Sequence, residues 1–172
     1  MKTLKKLMIV SAMILSCCQL VTAQNSKIQK KAAKAAKVKE MLDAQSYIFN
    51  ATYVIPQRGN ARSITYGYDV VVSKDTVTAY LPYYGRVTLA PADPSDGGVK
   101  FTSTNFDYKS EPANNGYDIT ITPKDGNTQG SKDVRYLRLN VSYNGYASLQ
   151  VISNNRDPIS YNGEIEERKI NK

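Results

Sequence analysis

After one short helical stretch, every apolar run in this chain alternates in a two-residue rhythm, and no second helical segment interrupts the series. In the run Thr76 to Leu81, Val77, Ala79 and Leu81 point one way while Thr76, Thr78 and Tyr80 point the other, the pattern of a half-buried strand. Tyr117, Ile119 and Ile121 alternate with Asp118, Thr120 and Thr122 in the same way. Leu137, Leu139 and Val141 alternate with Arg138, Asn140 and Ser142, Asn144-Gly145 offers a turn, and Ala147, Leu149 and Val151 return. Asn-Gly tolerates the positive φ angles of a two-residue type I′ hairpin. Further runs are Tyr47 to Ile55 (Tyr47, Phe49, Ala51, Tyr53 and Ile55 in phase), Ser63 to Val72, Gly98 to Phe101, Asn105 to Tyr108 and Pro158 to Ile165. In the last of these Asn162-Gly163 suits a bulge or turn. Parallel strands need helical crossovers, so about eight or nine short strands without them imply an antiparallel meander. A sheet of this kind avoids open edges by closing on itself or by stacking as a sandwich. One helix followed by consecutive strands favours a lipocalin-type barrel, which gives a mainly β fold class.

The helical stretch is Ser26 to Ala44, within a lysine- and alanine-rich region spanning 24–45. Ser26 is a suitable N-cap, Ala and Lys are strong helix formers, and no Gly or Pro intervenes. Ile28, Ala32, Ala35, Val38 and Leu42 recur at steps of three or four and predict a modest apolar stripe. That stripe would pack on the sheet with the lysines in solvent. The alternative is a basic surface helix that meets anionic lipid or a partner protein.

The extreme N-terminus has the composition of an export signal. Lys2, Lys5 and Lys6 precede the apolar stretch Leu7 to Leu15, which is short of the roughly 20 residues of a membrane span. Val21-Thr22-Ala23 places small or compact residues where a signal peptidase reads, so residues 1–23 are expected to be removed, with Gln24 the new first residue. The alternative processing point is Ile14-Leu15-Ser16-Cys17, at which Cys17 would be lipidated and would tether the protein to a membrane. Either way the chain is expected to be exported, periplasmic or associated with the outer membrane. The chain has two cysteines; both, Cys17 and Cys18, lie at or before the processing region, so a chain starting at Gln24 has neither disulfide nor thiol chemistry. The remaining residues, 46–172, are expected to form a single β domain, large enough to stand on its hydrophobic core.

Charge excludes one class of partner. Without the three signal-peptide lysines, 20 basic residues face 15 acidic ones, a net of +5. Lys27, Lys30, Lys31, Lys34, Lys37 and Lys39, set against Glu40 and Asp43, hold +4 of that in the helix. The β domain is therefore close to neutral, and a nucleic-acid interface would need a basic face on the fold itself. The chain has no His and no Trp, which removes the commonest general base and metal ligand. No phosphate-binding Gly-rich loop or Ca²⁺ loop pattern occurs. Glu164, Glu166 and Glu167 sit in a charged tail with Arg168 and Lys169, and Asp93-Pro94-Ser95-Asp96-Gly97-Gly98 has the composition of a surface loop. No catalytic residue, metal ligand or cofactor is assigned, and the chain is expected not to be an enzyme.

Tyrosine is the positive signal, with 13 Tyr against three Phe. Its densest cluster is Tyr80-Leu81-Pro82-Tyr83-Tyr84-Gly85-Arg86 at a strand end. Tyr80, Pro82, Tyr83, Tyr84 and Arg86 are the candidate ligand-binding residues, since aromatic faces and a cation can hold a small amphipathic molecule. A structural corner is the competing reading, because Pro82 stops strand pairing and Gly85 permits a turn. Together with Ser46-Tyr47-Ile48-Phe49 and Ile159-Ser160-Tyr161-Asn162-Gly163, this cluster resembles the domain-of-unknown-function family 4251, small exported proteins or lipoproteins of Bacteroides-type bacteria. The resemblance runs from the lysine-rich helix to the last strand. It implies a lipocalin-like β fold after an N-terminal helix, and it implies no established activity, cofactor or partner. Two functions are consistent with these features. One is a binding module holding a small apolar or amphipathic ligand in a barrel mouth. The other is a structural or interaction protein of the cell envelope, contacting a partner through the tyrosine patch or the basic helix.

Overall fold

The structure, a computed structural model, describes residues 27–65, 67–89, 97–124 and 133–168. A helix, α1, spans 27–43. Ten strands follow: β1 (Tyr47–Pro56), β2 (Arg62–Ser63), β3 (Asp69–Val72), β4 (Val77–Leu81), β5 (Val99–Ser103), β6 (Phe106–Ala113), β7 (Gly116–Pro123), β8 (Val134–Ser142), β9 (Tyr146–Ser153) and β10 (Ile159–Glu167). They form one antiparallel sheet in the order β5-β4-β3-β1-β10-β9-β8-β7-β6, with the short β2 paired to β1. The first and last strands of the chain thus pair with each other, over Tyr47↔Glu167 to Pro56↔Ile159. The sheet is curled nearly into a barrel. Its two ends are β5 and β6, neighbours in sequence across Thr104-Asn105, so the seam falls mid-chain rather than where the termini meet.

The alternation read from the sequence produces this curvature directly. Along β8, Val134, Leu137, Leu139 and Val141 are buried while Arg135, Arg138 and Asn140 are exposed. The same apolar-in, polar-out pattern runs through β4, β5, β9 and β10. The enclosed side chains include Tyr47, Phe49, Leu81, Ile119, Ile121, Leu137, Leu149, Ile159 and Tyr161, all below 2% exposure. Each buried large apolar side chain stabilises the fold by roughly 1.5–3 kcal/mol.

Three sequence expectations are corrected in detail. The first strand keeps its phase only to Ala51. A bulge at Thr52 shifts the register against β10, where Ala51 faces Gly163 and Tyr53 faces Asn162. One extra residue reverses the faces, so Val54 is buried and Tyr53 and Ile55 are exposed at 42% and 37%. Asn162-Gly163 therefore lies opposite a bulge rather than at a hairpin tip. The run Ser63 to Val72 divides into β2 and β3, which pair with β1 on either side of that bulge, at Tyr53-Val54 and at Tyr47 to Asn50. The β8–β9 hairpin is not a two-residue type I′ turn. Gly145 N–H donates to the Ser142 carbonyl at 2.9 Å, and of the turn residues Gly145 alone has positive φ, +85°. This is the three-residue hairpin with a left-handed glycine at its end.

The helix docks by half its length. Val38, Met41 and Leu42 are buried against the barrel, whereas Ile28 and Ala32, expected in the same stripe, are exposed. The Tyr108 hydroxyl donates to the Leu42 carbonyl at 3.3 Å, and Lys37 pairs with Glu167 at 2.8 Å. Tyr47, Glu167 and the β8–β9 turn all lie at one barrel end, so α1 closes that end with its C-terminal half. Its N-terminal half projects past the rim.

Candidate functional site

The tyrosine cluster is distributed over the outside of the barrel and over its end opposite α1. Tyr80 sits on the outer face of β4, 44% exposed. Tyr68 stacks on it with centroids 5.5 Å apart and planes at 12°, and Lys100 from β5 places its Nζ 5.1 Å from the ring. Tyr68, just before β3, and Lys100 on β5 thus both lie against the ring. Pro82 contributes its carbonyl, which accepts the Tyr161 hydroxyl at 2.6 Å. Burial holds that phenol in its neutral, donating form by pushing its pKa well above the usual tyrosine value.

Tyr83 turns inward. Its hydroxyl faces the Arg86 carbonyl at 2.7 Å and the Asp157 carbonyl at 3.1 Å, one proton shared between two acceptors. Burial raises its pKa, which keeps that proton in place. The chain folds back over the ring so closely that a Cβ on Gly85 would lie 2.5 Å from the Tyr83 hydroxyl oxygen. Backbone bonds from Asp157 N–H to the Arg86 carbonyl, at 3.1 Å, and from Thr88 N–H to the Asn155 carbonyl, at 2.8 Å, fasten the segment to the loop before β10. Tyr84 is 38% exposed, with the Arg62 guanidinium 4.6 Å from its ring centroid. Arg86 is exposed. Of the five candidate residues, then, Pro82 and Tyr83 are parts of a hydrogen-bonded corner. Tyr80, Tyr84 and Arg86 are presented outward.

Beneath this corner lies a buried ion pair that sequence reading missed. Arg156 and Asp133 have side chains only 2% exposed, with Nε 3.6 Å from Oδ1. Arg156 Nη1 also donates to the Gly98 carbonyl at 2.7 Å, and its guanidinium lies 5.2 Å from the Tyr83 centroid. Asp133 Oδ2 accepts Asn155 N–H at 3.0 Å. The pair ties the approach to β5, the approach to β8 and the loop before β10 together, and so closes the barrel end that α1 does not. Both residues stand in polar stretches that read as loop, so nothing local signals their burial.

The other outward-facing feature is the rim beside α1. Lys37 and Lys39 are matched to Glu167 and Asp43. Mutual hydrogen bonding raises the lysine pKa values and lowers that of Glu167. Among the described residues, Lys27, Lys30, Lys31 and Lys34 have no carboxylate within ion-pairing distance. Tyr143 and Tyr146 stand next to them, 41% and 63% exposed, and Lys34 Nζ lies 5.9 Å from the Tyr146 ring centroid. Cys17 and the two processing points, together with the 93–96 part of the Asp93 loop, lie outside the described residues.

The sequence model of the domain of unknown function DUF4251 matches residues 29–165. Among solved structures, the crystal structure of a DUF4251 family protein from Bacteroides eggerthii is similar to this fold. Its TM-score is 0.56 at 18% sequence identity, covering 80% of this chain and 91% of that one. No curated protein matches.

Proposed function

The chain belongs to the DUF4251 family, and on that footing we propose that it is an exported, non-catalytic protein of the cell envelope that works through its outer surface rather than by holding a ligand inside the barrel. The observation that carries this reading is the set of large side chains that the barrel encloses. Tyr47, Phe49, Ile119, Ile121, Leu137, Leu149 and Tyr161 occupy the space in which a lipocalin would hold its ligand. The polar groups among them are already matched, Tyr161 to the Pro82 carbonyl and Tyr47 to the Tyr108 hydroxyl at 3.4 Å. Helix α1 covers one end, and the Tyr83–Arg156–Asp133 assembly covers the other. An apolar-in, polar-out barrel of this kind suits water, since a barrel embedded in lipid carries its apolar band outside.

A non-catalytic role is supported by the lack of His in the whole chain and by the engagement of two acids in ion pairs. Asp133 faces Arg156, and Glu167 faces Lys37. The test is native mass spectrometry of the protein isolated from its own cells. The expected spectrum shows the polypeptide with at most a covalent lipid. A small molecule retained at one equivalent would restore the binding-module reading and overturn this one.

A further inference from the structure

Between the overhanging half of α1 and the turns of the β6–β7 and β8–β9 hairpins lies an open cleft of about 370 Å³. Lys30, Lys31 and Lys34 form one wall; Asn115, Tyr143 and Asn144 form the other. Among the described residues, no acidic one lines it. The groove on the other side of the helix differs, since Glu164, Glu166 and Glu167 line it together with Lys34 and Lys37. Among the described residues, the fold thus sets carboxylates along one flank of α1 and none along the other, with Lys34 bordering both. Asn144 has its side-chain oxygen engaged by Ser142 Oγ and by Tyr146 N–H, which leaves its amide nitrogen as a donor. Exposed apolar surface flanks these cations, with Ile28 65%, Tyr143 41% and Tyr146 63% exposed.

We propose that this cleft binds the phosphate headgroups of an anionic phospholipid surface, with Lys30, Lys31 and Lys34 on the phosphates and Tyr143, Tyr146 and Ile28 at the interface. The proposal rests on the surface-acting reading above and names its partner. Charge complementarity selects an anion, because Lys30, Lys31 and Lys34 converge with no ion pair to a carboxylate among the described residues. The exposed aromatics select a lipid surface over a soluble anion, since tyrosine places its ring at the apolar boundary and its hydroxyl in the headgroup layer. Lysine stems of this length reach a headgroup layer while their methylenes cover apolar surface.

The test uses a chain starting at Gln24, whose buried core from Val38 to Ile165 is intact, in co-sedimentation with vesicles. Vesicles containing phosphatidylglycerol are expected to bind it and phosphatidylcholine vesicles are not. Each surface lysine contributes roughly five-fold to such partitioning, so Lys30→Gln/Lys31→Gln/Lys34→Gln should weaken it on the order of 100-fold. Lys37→Gln/Lys39→Gln removes lysines already matched by acids and should weaken it by less than about tenfold. Tyr146→Ser should weaken binding without changing its salt dependence. Equal losses in the two lysine variants would overturn the proposal, as would no binding to phosphatidylglycerol vesicles. Saturable binding of glycerol 1-phosphate without vesicle binding would overturn it in favour of a soluble phosphate ester. A bare polypeptide mass combined with no vesicle binding would sink this proposal and leave the surface-acting reading standing, whereas a retained interior ligand would sink that reading.

Discussion

Arg156 Nε stands 3.6 Å from Asp133 Oδ1 in a site where both side chains are 2% exposed, and Oδ1 has no hydrogen bond among the described residues. The pair therefore relies on charge attraction at one oxygen and on a backbone N–H, that of Asn155, at the other. Such a pair is costly to break from one side, because the remaining charge is left buried and uncompensated. Arg156→Met is expected to lower stability by about 3–5 kcal/mol, a large share of a typical folding free energy. Adding Asp133→Asn should recover most of that loss, since the buried charge then disappears while an oxygen remains for Asn155. Urea denaturation of wild type, both single variants and the double variant closes the cycle. Additive losses would show that the two residues do not act as a pair.

The corner above that pair gives a second expectation, and two hydroxyls separate its parts. Tyr161 is fully buried, and its hydroxyl meets the Pro82 carbonyl at 2.6 Å. Tyr161→Phe keeps the ring and strands a carbonyl, at a cost of about 1–3 kcal/mol. Tyr83→Phe removes a more exposed bond and should cost about 0.5–1.5 kcal/mol globally. Its larger effect is local, because the Tyr83 hydroxyl pins the Arg86 and Asp157 carbonyls together. Limited trypsinolysis is the direct readout, with faster cleavage after Arg86 expected in Tyr83→Phe and a wild-type rate contradicting the assignment.

The fold was legible where its signal is local and obscured where it depends on pairing between distant segments. Alternation of single residues identified the inward faces of β4, β7, β8 and β9, because side-chain direction in a strand depends only on position along it. The same alternation failed in β1 beyond Thr52, since a bulge is set by the opposing strand and leaves no mark on the pattern. Closure through β1 and β10 joins residues more than 100 positions apart, and the seam at β5–β6 follows from that closure. The candidate site divides the same way. The tyrosine run marked a real feature, the corner at Pro82 and Tyr83. Nothing in sequence could separate Tyr83, which is bonded to two carbonyls, from its neighbour Tyr84, which faces outward. Likewise six lysines look equivalent along α1 until the fold supplies Glu167 to one of them and leaves Lys30, Lys31 and Lys34 facing a cleft that no acid among the described residues lines.

Asp69 begins β3 opposite Tyr80 and is half-buried, and that burial raises its pKa above the ordinary 3.8. The folded state therefore holds the Asp69 proton to higher pH than the unfolded chain does. Stability from this group is fully present below the unfolded value and is lost as pH rises through the folded one. At neutral pH the ionised carboxylate is a net cost to folding. Asp69→Asn should accordingly raise the melting temperature at neutral pH, and the gain should shrink to nothing as the pH falls below that of the unfolded carboxyl. A variant less stable than wild type at neutral pH would mean that the carboxylate makes a favourable contact that outweighs its desolvation.

At the alkaline limit the buried phenols set the stability. Burial raises the pKa of Tyr47, Tyr108 and Tyr161 above the ordinary tyrosine value of 10.0. Tyr47 and Tyr161 are fully enclosed, and the Tyr161 and Tyr108 hydroxyls donate to backbone carbonyls that a phenolate could not serve. In the unfolded chain these groups lose their protons near pH 10, whereas the folded state retains them beyond that point. Above that pH the unfolded state binds fewer protons, so stability falls as pH rises. The expected observation is a cooperative loss of β-sheet circular dichroism above about pH 10, accompanied by a late step in tyrosinate absorbance from the buried phenols. Tyr161→Phe removes one of those protons and should flatten the alkaline slope while lowering stability at neutral pH. A slope unchanged in that variant would show that Tyr161 does not couple ionisation to unfolding.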